Sequence, residues 1–148
     1  GRVRTVRAQM LATARAPEVD IPRPVYARFG YDYWQQLPDR RVVLGGLRDQ
    51  FPATESTDRA VPTSALQRQL DVLLRDGLGV RAAVTHRWAG VIAFTDDRLP
   101  VLAEVRPGVW VAGAYSGTGN VLGSLCGRAA AQLAVGAPSL LTDLLPAG

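Results

Sequence analysis

One uninterrupted run, VWVAGAYSGTGNVLGSLCGRAAAQLA at residues 109–134, reads as a strand, a glycine-rich turn and a helix. Val109, Trp110, Val111 and Ala112 suit a buried strand. Gly113, Gly117, Gly119 and Gly123 let the backbone turn sharply and approach another molecule closely. From Val121 the apolar residues Val121, Leu125, Ala129 and Leu133 recur at helical spacing. The start of such a helix presents N–H groups and a partial positive charge, which suits an anionic ligand group. The spacing is GxGxxxG, so the dinucleotide fingerprint GxGxxG is not met. A glycine-rich loop packed closely on its own sheet would carry the same glycines, and both readings stay open at this point.

The residues before the loop sharpen it. Arg87, Trp88, Ala89 and Gly90 are followed by Thr95, Asp97, Leu99 and Pro100. Gly108, Val109, Gly113, Ser116, Gly117, Gly119, Gly127 and Ala130 come next. In this order they resemble the pattern RWAG…TxDxLPxxG…GVxxAxGxSGxG…GxxxA at the C-terminal end of the glycine oxidase / D-amino-acid oxidase-like family of FAD-dependent oxidoreductases. YDYWQQLPDRRVVLGG at residues 31–46 and VRTVRAQMLAT at residues 3–13 resemble that family's hairpin and strand, so the likeness covers nearly the whole chain.

The resemblance implies an α+β fold. A mainly antiparallel sheet of a substrate domain with two helices would be joined to the C-terminal strand–loop–helix of an FAD-binding domain. Residues 1–88 would be the incomplete substrate-binding domain, and residues 89–148 the end of its sheet plus the flavin-contacting part. The cofactor implied is FAD, facing Gly113, Tyr115, Ser116, Gly117, Thr118, Gly119 and Asn120. Many relatives have His where Thr118 stands, which leaves the backbone role intact. The family's phosphate loop lies near its N-terminus, and no GxGxxG occurs in these residues. A missing FAD-binding segment or partner subunit is therefore expected, with the present chain inactive by itself.

Relatives that hold flavin through a cysteine place it where Gly90 stands here. Cys126 reads as a small buried residue of the last helix, so the flavin is expected to be non-covalent. Glycine-oxidase relatives follow Trp-Ala-Gly with Leu-Arg, whose guanidinium grips the substrate carboxylate. Here Val91 and Ile92 follow Trp88-Ala89-Gly90. That departure shifts the expected substrate from α-amino acids toward amines, nearer the γ-glutamylputrescine oxidoreductase branch.

Composition bounds the rest. A length of 148 residues, 47% hydrophobic and 20% charged, is enough for a real core. The single cysteine excludes an intrachain disulfide and suits a reducing cytoplasm. No signal peptide pattern is visible. The uncharged run at residues 107–127 is too rich in Gly, Ser, Thr and Asn for a spanning helix. All 17 basic residues are arginines, and the net charge is +4. Arg2, Arg4 and Arg7 read as a solvated strand face, and no aromatic platform or reading helix points to nucleic acid.

Alternation and breakers place strands at residues 3–14, 25–29, 31–37, 41–44, 82–88, 91–94, 101–105 and 109–112. Residues 49–61 read as polar and irregular. Pro62 is expected to open a helix with Leu66, Leu70, Leu73 and Leu74 as its stripe, and a second helix is expected over 121–135. Tyr33, Trp34, His86, Trp88 and Ile92 are candidate substrate contacts. Tyr31, Tyr33 and Trp34 could form an amine-binding cage, because aromatic faces hold cations. Packing of the hairpin core explains these rings equally well, and a surface role explains His86. Flavin chemistry needs little acid–base help from the protein, so no catalytic residue is assigned. One His and one Cys give no metal-ligand set. Strand 109–112 and the last helix, with Val109, Val111, Val121, Leu122, Leu125 and Leu133, would lack their nucleotide-domain partners, so self-association is expected.

Overall fold

The computed structural model describes residues 3–145. Five strands form one sheet in the order β2-β3-β4-β1-β5. They are β1 (Val3–Arg15), β2 (Val25–Ala27), β3 (Asp32–Gln36), β4 (Arg41–Gly46) and β5 (Val84–Thr95). The antiparallel hairpin of β6 (Val101–Arg106) and β7 (Val109–Gly113) forms a second sheet. The helices are α1 (Pro52–Glu55), α2 (Ser64–Val72), α3 (Gly119–Ala134) and α4 (Leu141–Leu144). The expected α+β fold with mainly antiparallel pairing is what the chain adopts. No helix among the described residues is long and apolar enough to cross a membrane.

Contacts sort the described chain into two compact units, residues 7–91, and residues 3–6 with 92–145. In the first, α2 covers one face of the sheet. Leu11, Val42 and Leu44 from the sheet meet Leu66, Leu70 and Leu74 from the helical segment, all essentially fully buried. That is the helical stripe read from sequence, with Leu73 packed at its margin. Side chains alternate across a strand, so the odd positions of β1 share this face. Arg7, Gln9, Leu11 and Thr13 are all buried.

Arg7 therefore corrects the expectation of a solvated basic face. Its guanidinium donates to both Glu55 oxygens at 2.9 Å and to the Thr54 carbonyl at 2.8 Å. A buried charge needs such partners, and the stretch read as irregular supplies them from α1. Arg4 is exposed and lies over the Phe94 ring at 5.3 Å, while Arg2 falls outside the described residues.

Several boundaries moved for local reasons. α2 starts at Ser64, not Pro62, because Thr63 is held by Gln9. The Thr63 N–H donates to Gln9 Oε1 at 2.9 Å and its hydroxyl accepts from Gln9 Nε2 at 2.9 Å. β2 stops at Ala27 because Arg28 and Phe29 adopt left-handed backbone, φ 47° and 56°. Arg28 there forks between the carboxylates of Asp32 and Asp49. Residues 84–95 form one strand instead of two, since Gly90 is accommodated in extended backbone.

In the second unit α3 packs on β7 and buries Cys126 and Ala129. Burial pushes the Cys126 thiol up, so it is the inert packing residue expected. The Tyr115 ring lies across the start of α3, 3.2 Å from where a Cβ on Gly119 would stand and 3.7 Å from one on Gly123. These two glycines thus serve the helix–loop packing.

Candidate functional site

The sheet of residues 7–91 has a second face, turned away from α2. Arg87 identifies the parity on β5. Its guanidinium donates to Gln67 Oε1 and to both oxygens of Asp71 at 2.7–3.0 Å, both on α2. Its neighbours His86 and Trp88 therefore point to the opposite side, where both are exposed. On β1, Met10 lies on that side too, between the inward-facing Gln9 and Leu11.

Tyr33 joins them from β3. Gly45 is the register partner of both Met10 and Tyr33. A Cβ on Gly45 would stand 2.5 Å from Tyr33 Cε2 and 2.9 Å from Met10 Cγ. The absence of that side chain lets ring and thioether lie flat on the sheet. Tyr26 stacks on Tyr33 with ring centroids 6.4 Å apart. Burial pushes the Tyr33 phenol up, so it stays protonated and can donate a hydrogen bond. Beside these rings is a cavity of about 350 Å³.

Of the three rings expected to form an amine cage, Tyr33 and Trp34 line this cavity and Tyr31 does not. The Tyr31 ring already carries Arg48, 4.8 Å from its centroid. Trp34 has the other parity on β3 and packs against the core under α2, although it also contributes to the cavity wall. His86 Nδ1 lies 2.9 Å from the Thr85 hydroxyl, and nothing gathers around it as a base or ligand set. The structure thus brings Tyr33, His86 and Trp88 onto one face, and Trp34, of the other parity, still reaches the cavity wall beside Tyr33. Ile92 belongs to the other unit, half-buried on β5.

The glycine-rich loop lies between β7 and α3. Ala114, Ser116 and Gly117 have φ of 53°, 51° and 93°, while the N–H of Ser116 and that of Thr118 are taken by the carbonyls of Ala93 and Tyr115. Ser116 anchors it: its N–H donates to the Ala93 carbonyl at 3.1 Å, and its hydroxyl accepts from the Thr95 N–H at 3.3 Å. Thr95 is buried and donates in turn to the Leu99 carbonyl at 2.7 Å. Thr118 donates its hydroxyl to the Tyr115 carbonyl at 2.6 Å, so no side chain caps α3, and its first turn holds no acidic residue. A Cβ on Gly113 or Gly117 would meet nothing within 4 Å. Asn120 is exposed in the first turn of α3. The loop therefore offers open backbone at the positive end of a 16-residue helix. The Tyr115 ring packs on the first turns of α3, against Gly119 and Gly123.

This loop and sheet match a known sequence profile over residues 1–133, that of DAO, the FAD dependent oxidoreductases. The chain belongs to that family. The probable oxidoreductase OrdL of Rhizobium meliloti (strain 1021) is 35% identical over 119 residues, which are 80% of this chain and 26% of OrdL. Among solved DAO-like folds, glycine oxidase from Geobacillus kaustophilus superposes with a TM-score of 0.71 at 22% identity. The match covers 94% of this chain and 37% of that one. Iminodiacetate oxidase from Chelativorans sp. BNC1 gives 0.70 at 20% identity, over 99% of this chain and 40% of that one. The chain thus spans about a quarter of the curated DAO relative it matches.

DAO proteins depend on FAD, and the loop at residues 113–120 fits such a group. The open space over Gly113 and Gly117 and the uncapped, acid-free helix start suit an electron-rich ring edge. Sequence reasoning missed Met10, Tyr26 and Gly45 on the open sheet face. The alternation of β1 would have placed Met10 opposite Leu11, but the close approach that requires Gly45 depends on strand pairing.

Proposed function

We propose that these residues form the substrate-facing sheet and the flavin-facing loop of an FAD-dependent oxidoreductase that oxidises an amine or amino acid by hydride transfer. The observation that carries the reading is the open space over Gly113 and Gly117 before an α3 that no side chain caps. FAD, when bound, accepts the hydride. The chain's own part is to bind and orient. The backbone of residues 113–120 and the start of α3 stabilise negative charge that develops on the ring. Ser116 and Thr95 hold the loop in that shape. Tyr33, His86 and Trp88 face the substrate, with the protonated Tyr33 phenol as a hydrogen-bond donor.

The ADP half of FAD would be held outside these 148 residues, by a phosphate-binding segment or partner subunit. The isolated chain is then inactive. A buried, unreactive single thiol agrees with a cytoplasmic setting. Ile92 in place of the family's arginine favours amines over α-amino acids. A binding or assembly module that kept the fold without cofactor is the second reading, and the packing of Gly119 and Gly123 against the Tyr115 ring, which accounts for those glycines without a ligand, favours it. Equilibrium dialysis separates the readings in two steps. The chain alone should retain no FAD, and the chain joined to a complementary FAD-binding segment should turn yellow, with absorbance near ~450 nm from the cofactor. Stoichiometric FAD binding by the chain alone overturns the need for a partner segment, and a colourless complete assembly overturns the oxidoreductase reading.

A further inference from the structure

We propose that the cavity beside Tyr33 receives an uncharged, apolar tail of the substrate, so that the preferred substrates are amines with an aromatic or aliphatic tail and no second charge. The inference rests on the oxidoreductase reading for the amine, and on the cavity itself for the tail. Its volume of about 350 Å³ falls within the range of small-molecule sites, about 300–1,000 Å³. Met10, Val25, Tyr26, Tyr33 and Val43 supply most of the wall, and Gln35 adds a neutral amide. No carboxylate, guanidinium or imidazole lines it.

Nearby charges are already engaged. Arg28 is shared by Asp32 and Asp49, and Arg48 lies over Tyr31. A carboxylate or ammonium tail would lose its water here and gain no opposite charge, which is costly. The rings of Tyr26, Tyr33 and Trp34 offer an ammonium tail cation–π attraction but no full counter-charge. An apolar tail finds instead a thioether, three aromatic rings, a proline and two valines, and a soft methionine adapts to its shape. This moves the expected tail away from the charged one of the γ-glutamylputrescine branch.

Met10 is the single methionine, so its methyl gives one assignable NMR signal in the 148-residue chain. Titration with 3-phenylpropylamine should shift that signal and saturate. Putrescine and 5-aminopentanoate should bind at least tenfold more weakly. Gln35 is exposed, so Gln35→Glu tests charge without a buried substitution. It should weaken 5-aminopentanoate further and narrow the gap between putrescine and 3-phenylpropylamine. Val43→Phe fills the cavity and should weaken 3-phenylpropylamine at least tenfold. Equal or tighter binding of the charged-tail probes, or binding that leaves the Met10 methyl unmoved, overturns the tail assignment. Neither result touches the flavin, so failure here is distinct from failure of the dialysis experiment.

Discussion

Glu55→Gln removes the charge from a carboxylate that is 2% exposed and fully engaged. Arg7 Nε and Nη2 each donate to it at 2.9 Å, and Gln9 Nε2 reaches both oxygens at 2.9–3.0 Å. Breaking one side of a buried ion pair costs ~3–5 kcal/mol, because the other charge is left without its partner. Arg7 keeps the Thr54 carbonyl at 2.8 Å and the Arg59 carbonyl at 3.4 Å, which puts the loss at the lower end, ~3 kcal/mol. At ~2–4 °C per kcal/mol for a chain of this size, Tm should fall by ~6–12 °C.

The pH dependence of stability gives a second readout. Burial acts to raise the Glu55 carboxyl, but the hydrogen bonds from Arg7 and Gln9, with the Arg7 charge, outweigh it and hold the group below its ordinary 4.5. A depressed folded value means that the stabilisation is fully present above about pH 4.5 and is lost as pH falls through the folded value. The variant should lack that part of the acid limb. The double change Arg7→Met with Glu55→Leu, which leaves no lone charge, should recover most of the loss. Urea titrations from pH 3 to 7 measure all three proteins. A Glu55→Gln chain within ~1 kcal/mol of the parent and with the same acid limb would refute the reasoning.

Gly45→Ala places a methyl 2.5 Å from the Tyr33 ring. It should cost ~1–3 kcal/mol in urea titration and displace the Met10 methyl signal, whereas parental stability would show that the ring has room to move. In the complete enzyme, Ile92→Arg should shift preference toward α-amino acids by supplying a carboxylate fork. Unchanged kcat/KM ratios for an amine and its α-carboxylated counterpart would sink the argument from the missing arginine. Val109, Val111, Val121 and Leu125 are 42–60% exposed, while Leu122 and Leu133 are half-buried. The isolated chain should therefore self-associate through residues 109–135 across a light-scattering dilution series. A monomer at every concentration would oppose that.

The local determinants could be read from sequence because each acts within a few residues. Alternation gave most of the strands, the leucine stripe gave α2, and the glycines of residues 113–123 gave the turn into α3. The family likeness rested on the same short motifs. The partners of Arg7 lie 47–52 residues away in α1 and its flank, and a basic residue alternating on a strand looks solvated until such a partner is placed. Gly45 looked like the end of a strand, and only its pairing with Met10 and Tyr33 showed what its missing side chain permits. Tyr31, Tyr33 and Trp34 looked equivalent as aromatic neighbours. Strand parity turned Trp34 toward the core while leaving it part of the cavity wall, Arg48 covered Tyr31, and Tyr33 was left for the open face. Sequence spacing determines which elements form, because hydrogen bonding and periodicity are local. Which side chain is buried, paired or left facing a ligand is decided by segments far apart in the chain, and only the packed sheet and helix bring them together.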